Sequence, residues 1–361
     1  RTWPGKGLPR QPFYRMETDM INRLVWMETD NTYPYRNLAM EEYMTLHVPQ
    51  GTCILYLWQN RHTVVIGKNQ NCWRECRVNF LEQENGYLVR RLSGGGAVFH
   101  DLGNLNFTFI VGAGDYDVSR QLDVILEAVR SLGIHAEKTG RNDITVDGRK
   151  FSGNAFYRTG DGCYHHGTIL IRADKENMSR YLNVSKEKLA SKGVTSVKSR
   201  VANLCEFKPD ITLEEVKSAL VEAFSKVYGQ PAVRMEEGEL PQPDIDARTE
   251  KFASWQWKYG RKIPFEYEME KRFPWGNIQI QFHVDEGMIQ DVNVFSDAMD
   301  QEMIGMLAEQ LKGCAYAEED ICRAVKAVGT DAFQAGEYTG ADEPQSCRIK
   351  EDIMTLVRES L

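Results

Sequence analysis

The segment RRLSGGGAVFHD, residues 90–101, sets three consecutive glycines between two runs that read as strands, YLVRR (87–91) and NLNFTFIVG (104–112). A glycine loop that cradles phosphate in a Rossmann or Walker fold runs from a strand into a helix. This one hangs between strands, so the chain must use its glycines in another architecture. Elsewhere strand pairs interleave with helices, which predicts an α+β fold rather than a parallel doubly wound sheet.

The flanking segments fill in that expectation. NLAMEEYMTLHV (37–48) carries apolar residues at helical spacing behind Asn37 as a candidate N-cap. CILYLWQN (53–60) and HTVVIGKN (62–69) are β-branched and aromatic, and read as adjacent strands. VSRQLDVILEAVRSLG is an amphipathic helix ending at Gly133, and the Asp147–Gly148 pair predicts a hairpin turn. GCYHHGTILI enters another strand, and residues 213–228 form a helix. Residues 236–246, EEGELPQPDID, combine prolines and acids with few hydrophobes and read as an exposed linker. A single core rarely serves 361 residues. The expected organisation is therefore a disordered tail at 1–21, a larger domain at 22–246 and a smaller α/β domain at 247–361. The last contains NIQIQFHVDEGMIQDVNVF as strand, turn and strand, with helices at 301–311 and 349–361.

Charge and cysteine usage remove several function classes. A net charge of -8 argues against broad salt-driven binding to nucleic acid. No apolar run approaches the roughly 18 residues of a membrane span. The first fifteen residues are basic but lack the apolar stretch of a secretory signal. Eight scattered cysteines form no dense disulfide framework, and reduced thiols in a cytoplasmic compartment fit best. Cys72 and Cys76 can be half a zinc site or two thiols on one helix turn; no second pair follows.

Chemistry concentrates in a few places. Arg90 and Arg91 before Gly94, Gly95 and Gly96 can bring guanidinium forks and bare backbone to anionic oxygen, while Ala97, Val98 and Phe99 add a small apolar wall. Taken alone, a glycine triplet favours a hairpin that needs positive φ, and the apolar residues after it tip the balance toward a ligand. In GRNDITVDGRKFSGNA (140–155), Asn142 and Asp143 are either a Mg²⁺ site beside substrate phosphates or an Asx turn. Lys150 precedes Ser152 and Gly153, where it can serve as a point charge for carboxylate and phosphate or stand solvated on a hairpin. Of His165 and His166 on one strand, at most one can face a given site. Lys198 and Arg200 add charge in TSVKSRVANL.

RRLSGGGAVFHDLGN, GRNDITVDGRKFSGNA, HHGTILI and KGVTSVKSRVANL, in that order and spacing, resemble the lipoate–protein ligases of bacterial type with a C-terminal accessory domain. TVVIGKNQNCWREC (63–76) and SWQWKYG (254–260) extend the resemblance from about residue 22 to near the end. It implies a catalytic domain like those of biotin–protein ligases and class II synthetases. The implied reaction joins lipoate and Mg·ATP into lipoyl-AMP, then acylates a lysine on lipoyl domains of 2-oxo acid dehydrogenase complexes or the glycine cleavage H protein. It also implies that Arg90, Arg91 and residues 94–99, with Asn142, Asp143 and Lys150, line the nucleotide site. Lys150 and Arg91 would act in catalysis. Lys150, Ser152, Gly153 and His166 would hold lipoate, Asp143 the Mg²⁺. Trp58, Val64, Val65 and Ile66 are candidate walls for the acyl chain. Leu92 departs from the polar residue often found at its position. The rival reading is octanoyl transfer through a cysteine nucleophile, for which Cys205, just after VANL, is the candidate.

Overall fold

The computed structural model describes residues 21–139, 143–183, 201–329 and 345–361. Asn142, Lys198, Arg200 and the expected N-terminal tail, apart from residue 21, lie outside them. In chain order the strands are β1 (Arg23–Glu28), β2 (Thr52–Trp58), β3 (Thr63–Ile66), β4 (Tyr87–Arg90), β5 (Val98–His100), β6 (Asn104–Gly112), β7 (Glu137–Thr139), β8 (Asp143–Val146), β9 (Arg149–Arg158), β10 (Gly162–Leu170), β11 (Ala232–Arg234), β12 (Tyr267–Phe273), β13 (Gly276–Asp285) and β14 (Met288–Ser296). The main helices are α1 (Pro34–Leu46), α2 (Val118–Ser131), α3 (Leu213–Tyr228), α4 (Gln242–Ala253), α5 (Gln301–Leu311), α6 (Glu318–Ala327) and α7 (Gln345–Ser360). The fold is mixed α/β, with a smaller C-terminal body beside a larger one.

A mixed sheet in the order β11–β1–β2–β6–β10–β9–β8–β7 forms the larger body. One face carries α2 and α3, whose apolar stripes bury Leu122, Ile125, Val129, Leu220 and Phe224 against Leu55, Phe107 and Phe109. Each such side chain contributes about 2 kcal/mol on burial, which fixes the sheet to its helical layer. The other face meets α1 and a small sheet, β4–β3–β5. The glycine triplet therefore connects two strands of the small sheet, against the exposed side of the large one. At the far edge Asp147 and Gly148 both adopt positive φ, 50° and 71°, and close the β8–β9 hairpin.

Two sequence expectations change. The runs at 53–60 and 62–69 were expected as adjacent strands, but β2 and β3 belong to different sheets. Both edges of β2 are taken by β1 and β6, so the chain turns out of the sheet through His62, at φ 42°, and β3 pairs with β4 and β5 instead.

The expected linker at 236–246 is a 3₁₀ turn followed by α4, so position 246/247 falls within a helix. Its prolines sit at the helix start, where a missing N–H breaks no intrahelical bond. Leu240, Ile245 and Phe252 are buried in the layer that holds α1. Arg36 of α1 pairs with Glu237 and Asp246 at 3.1 and 2.9 Å.

The C-terminal body is a three-stranded antiparallel meander, β12–β13–β14, backed by α5, α6 and α7 around Ile278, Ile280, Phe282, Leu307, Ile321 and Val357. Among the described residues no helix is long and apolar enough to cross a membrane.

Candidate active site

A cleft of about 1470 Å³ opens between the two bodies. Its floor is the non-helical face of the large sheet, where Trp58, Asn106 and Thr168 stand side by side across β2, β6 and β10. One residue pair further along, Thr108 and His166 face the same way. The glycine loop forms one wall, and the β12–β13 turn with Asp297 and Met299 closes the cleft from the C-terminal body.

Lys150 reaches this cleft because β9 is irregular. Ile144 pairs with Ser152 but Thr145 pairs with Lys150, so Phe151 is an extra residue on β9. Regular alternation would put Lys150 and Ser152 on one face. The bulge instead turns Phe151 into the helical core and Ser152 opposite core residue Ile144, and moves Lys150 to the cleft face of Gly153. A Cβ at Gly153 would stand 2.6 Å from Lys150 Cε and Nζ, so the glycine is where the lysine side chain crosses the strand. Lys150 Nζ lies 2.5 Å from Asp143 Oδ1. Ser152 is fully buried and does not border the cleft.

The two arginines sit differently. Arg91 is buried, and its guanidinium donates to Ser93 Oγ at 3.0 Å, to Gly94 O at 2.7 Å, to Gly96 O at 2.9 Å and to Val65 O at 3.4 Å. It holds the glycine loop closed on itself. Arg90 points away from the cleft and donates to the carbonyls of Gly67, Lys68, Gln70, Trp257 and Lys258 at 2.6 to 3.3 Å. Burial pushes both guanidinium pKa values down to about 10, which leaves them charged at neutral pH.

Gly95 needs its positive φ of 88°. Gly94 answers to the other body: a Cβ there would lie 2.5 Å from Ala298 O and 2.6 Å from Met299 O. Gly95 N–H donates to Ala298 O at 3.0 Å, and Ser296 N–H to Asn69 O at 2.9 Å. What approaches the first two glycines is thus the C-terminal backbone. Gly96, Ala97 and Val98 border the cleft, as does Gly95, whereas Phe99 packs behind the small sheet.

His165 and His166 part to opposite sides of β10. His165 is buried between Gln121 and Asn154, and burial, with His166 beside it, pushes its pKa down to about 3. His166 borders the cleft within a buried chain of hydrogen bonds. Ser93 Oγ, which accepts from Arg91 Nε, lies 2.8 Å from His166 Nε2, and His166 Nδ1 lies 2.8 Å from Glu41 Oε1. Trp58 Nε1 donates to Thr108 Oγ1, and Thr108 to the same Glu41 oxygen.

Next to this chain, His100 is held neutral by burial, with Arg91 and His166 adding to the effect, its pKa pushed down to about 3. His100 Nε2 and Asn106 Nδ2 find no hydrogen-bond partner among the described residues, and both side chains border the cleft. Buried polar atoms left open in this way are what a polar ligand satisfies.

Sequence reasoning missed Glu41, Ser93, His100, Asn106 and the entire β12–β13 turn. Glu41 carried a signal, as a fully buried acid within a helix otherwise facing a core. The turn carried none. Of the candidate acyl walls, Trp58 and Val65 border the cleft, while Val64 and Ile66 face the other side of β3. Leu92 is buried beside α1. None of the eight cysteines borders the cleft; Cys205 lies in a 3₁₀ turn against the helical core. Cys72 and Cys76 are buried, and among the described residues no cluster of three or more His, Cys, Asp or Glu could hold a metal.

Residues 33–225 match the family model of the lipoyl protein ligase A/B catalytic domain, and residues 262–340 match that of the bacterial lipoate protein ligase C-terminus. Among solved structures, P. falciparum LipL1 in complex with lipoate aligns at 28% identity over 92% of this chain and 99% of its own, with a TM-score of 0.76. The bipartite lipoate protein ligase of Thermoplasma acidophilum, solved with its E2 lipoyl domain, aligns at 26% identity over 68% of this chain and 99% of its own, with a TM-score of 0.58. A lipoate-protein ligase A bound with ATP shares the fold at 24% identity over 67% of this chain and 99% of its own, with a TM-score of 0.57.

Proposed function

The chain belongs to the lipoate–protein ligase family, and from that premise we propose that it is an ATP-dependent ligase acting in two steps. Free lipoate is activated to lipoyl-AMP, and the lipoyl group then passes to a lysine of lipoyl domains in 2-oxo acid dehydrogenase complexes or of the glycine cleavage H protein. The observation that carries this reading is Lys150, held by a strand bulge and Gly153 where the cleft's apolar side ends.

The apolar side, with Leu38, Trp58, Val65, Val98 and Ala155, suits an alkyl chain. His166, held between Glu41 and Ser93, lines it, and His100 and Asn106 offer buried polar atoms along it. A carboxylate attacking an α-phosphate brings two anions together, and a lysine at that junction offsets their repulsion and the charge that builds in the transition state. The acceptor lysine must then arrive neutral.

Mg²⁺ fits this cleft in a limited way. Among the described residues Asp143 is the one carboxylate that the larger body contributes to the lining, and it already pairs with Lys150. The ion would therefore be held mostly by the nucleotide's own phosphates and water, with Asp143 as a single protein ligand; bound there, it would neutralise phosphate charge. Arg91 and residues 95–98 belong to this nucleotide reading as the wall of the cleft. Arg90, Gly94, Phe99 and Ser152 support it from behind. The absence of a dense disulfide framework supports a cytoplasmic setting.

The test is the intact mass of an apo lipoyl domain after incubation with the protein, lipoate and Mg²⁺, with and without ATP. The lipoyl mass increment only in the presence of ATP is expected. Modification without ATP, or none in either tube, would overturn the reading.

A further inference from the structure

The β12–β13 turn brings a further guanidinium, that of Arg272, to the cleft from the C-terminal body. Side chains alternate along β12. Met269 and Phe273 pack on the body's own core, and Lys271 pairs with Glu359 of α7. Glu270 and Arg272 therefore face the other way, where Glu270 pairs with Arg74 of the larger body at 2.7 Å and Arg272 borders the cleft.

The turn between the strands is anchored. Trp275 is nearly buried and its Nε1 donates to Asp352 of α7 at 2.8 Å. Asp297, whose side chain is 5% exposed, accepts from the Asn277 N–H at 2.6 Å and sits 3.6 Å from Arg272 Nη1. That pairing is looser than most others around the cleft. It aims the guanidinium without enclosing it.

The other cations of the cleft are committed more tightly. The Arg91 guanidinium is closed onto its own loop, Lys150 is 2.5 Å from Asp143, and Lys271, which also borders the cleft, pairs with Glu359 of α7. Neither a loop-bound guanidinium nor one lysine matches the charge of a nucleoside triphosphate, whose leaving group alone is a pyrophosphate.

We propose that Arg272 is a catalytic residue of the activation step, brought to the nucleotide's phosphates by the C-terminal body; this rests on the ligase reading above. In that step a lipoate carboxylate oxygen forms a bond to the α-phosphorus, and the bond from that phosphorus to the bridging oxygen of the β-phosphate breaks. The electron pair leaves with pyrophosphate, whose growing charge a planar guanidinium fork is shaped to receive. The second step breaks the acyl–phosphate bond, releases AMP and needs no such group.

The experiment uses the full chain and separates the two steps. Pyrophosphate release from lipoate and Mg·ATP reads the first, and transfer from added lipoyl-AMP to an apo lipoyl domain reads the second. Arg272→Gln is expected to slow the first by roughly 10²-fold and leave the second unchanged. Arg272→Lys should recover part of the loss. Asp297→Asn, which keeps an acceptor for the Asn277 N–H but removes the carboxylate that aims the guanidinium, should slow the first step by less than Arg272→Gln does and leave the second unchanged.

Pyrophosphate release by Arg272→Gln at the wild-type rate would overturn the assignment. So would a parallel loss of both steps matched by Asp297→Asn, which would make Arg272 a seat for the C-terminal body. Failure of the wild-type chain to make lipoyl-AMP at all would instead bring down the ligase reading, and the assignment with it.

Discussion

The glycine loop and the β8–β9 hairpin border the same cleft, yet they deploy their cations in opposite ways. The loop's arginines turn inward onto backbone carbonyls, one closing the loop and the other tying it to the helical arm at Trp257 and Lys258. The hairpin's lysine is turned outward by an extra residue in its strand, against a glycine that leaves room for it. A charged side chain that satisfies three or more carbonyls fixes the shape of the loop around it. One that crosses a glycine to reach a cleft is placed to meet a ligand.

This contrast can be broken most directly at Lys150. Lys150→Ala should reduce lipoyl-AMP formation by about 10²- to 10³-fold, with a melting temperature close to wild type because the residue is only partly buried. A stable, fully active Lys150→Ala protein would remove the hairpin from the chemistry.

The converse substitution is Arg90→Ala, which should cost about 3 kcal/mol of stability, because five carbonyls lose a charged donor together. Urea denaturation should show a lower midpoint, and protein that remains folded should keep its ATP dependence. An unaltered midpoint would show that those carbonyls find other partners.

A pH-dependent effect of comparable size comes from the neutral histidines His100 and His165. His100 and His165 are held near pKa 3, against an ordinary value of 6.5. Between those limits the unfolded chain binds more protons than the folded one, so stability is complete above about pH 6.5 and falls as the solution is acidified. The slope is at most about 1.4 kcal/mol per pH unit for each histidine. Thermal melts from pH 7.5 to 5 should show this decline, and His165→Gln should flatten it. A variant with the wild-type slope would count against the buried neutral state.

The smallest expected effect is at Cys205. It stands outside the cleft, so Cys205→Ser should leave ATP-dependent lipoylation unchanged. Its loss would favour the cysteine transferase.

The regular elements were legible wherever a local pattern carries its own physics. The helix at Leu213–Tyr228 shows this, with its Thr212 capping box and its left-handed Gly229, as does the strand at Asn104–Gly112. The linker was misread for an equally local reason. Prolines and acids mark a helix start as well as a coil, and only the burial of Ile245 and Phe252 distinguishes the two.

In the site, residue types were legible and directions were not. Alternation along β10 sends one histidine to each face, but nothing in RKFSGNA announces the bulge that puts Lys150 and Ser152 on opposite faces.

By itself the sequence determined many of the strands and helices, the glycine loop between strands and the family those motifs share, because propensity, capping and periodicity act over a few neighbours. Tertiary structure alone decided that Arg90 ends on carbonyls contributed by residues 257 and 258, that Glu41 orients a histidine 125 positions away, and that Gly94 meets Ala298 and Met299. Those contacts join residues far apart in the chain, the last of them across the two bodies, and no short window of residues encodes that.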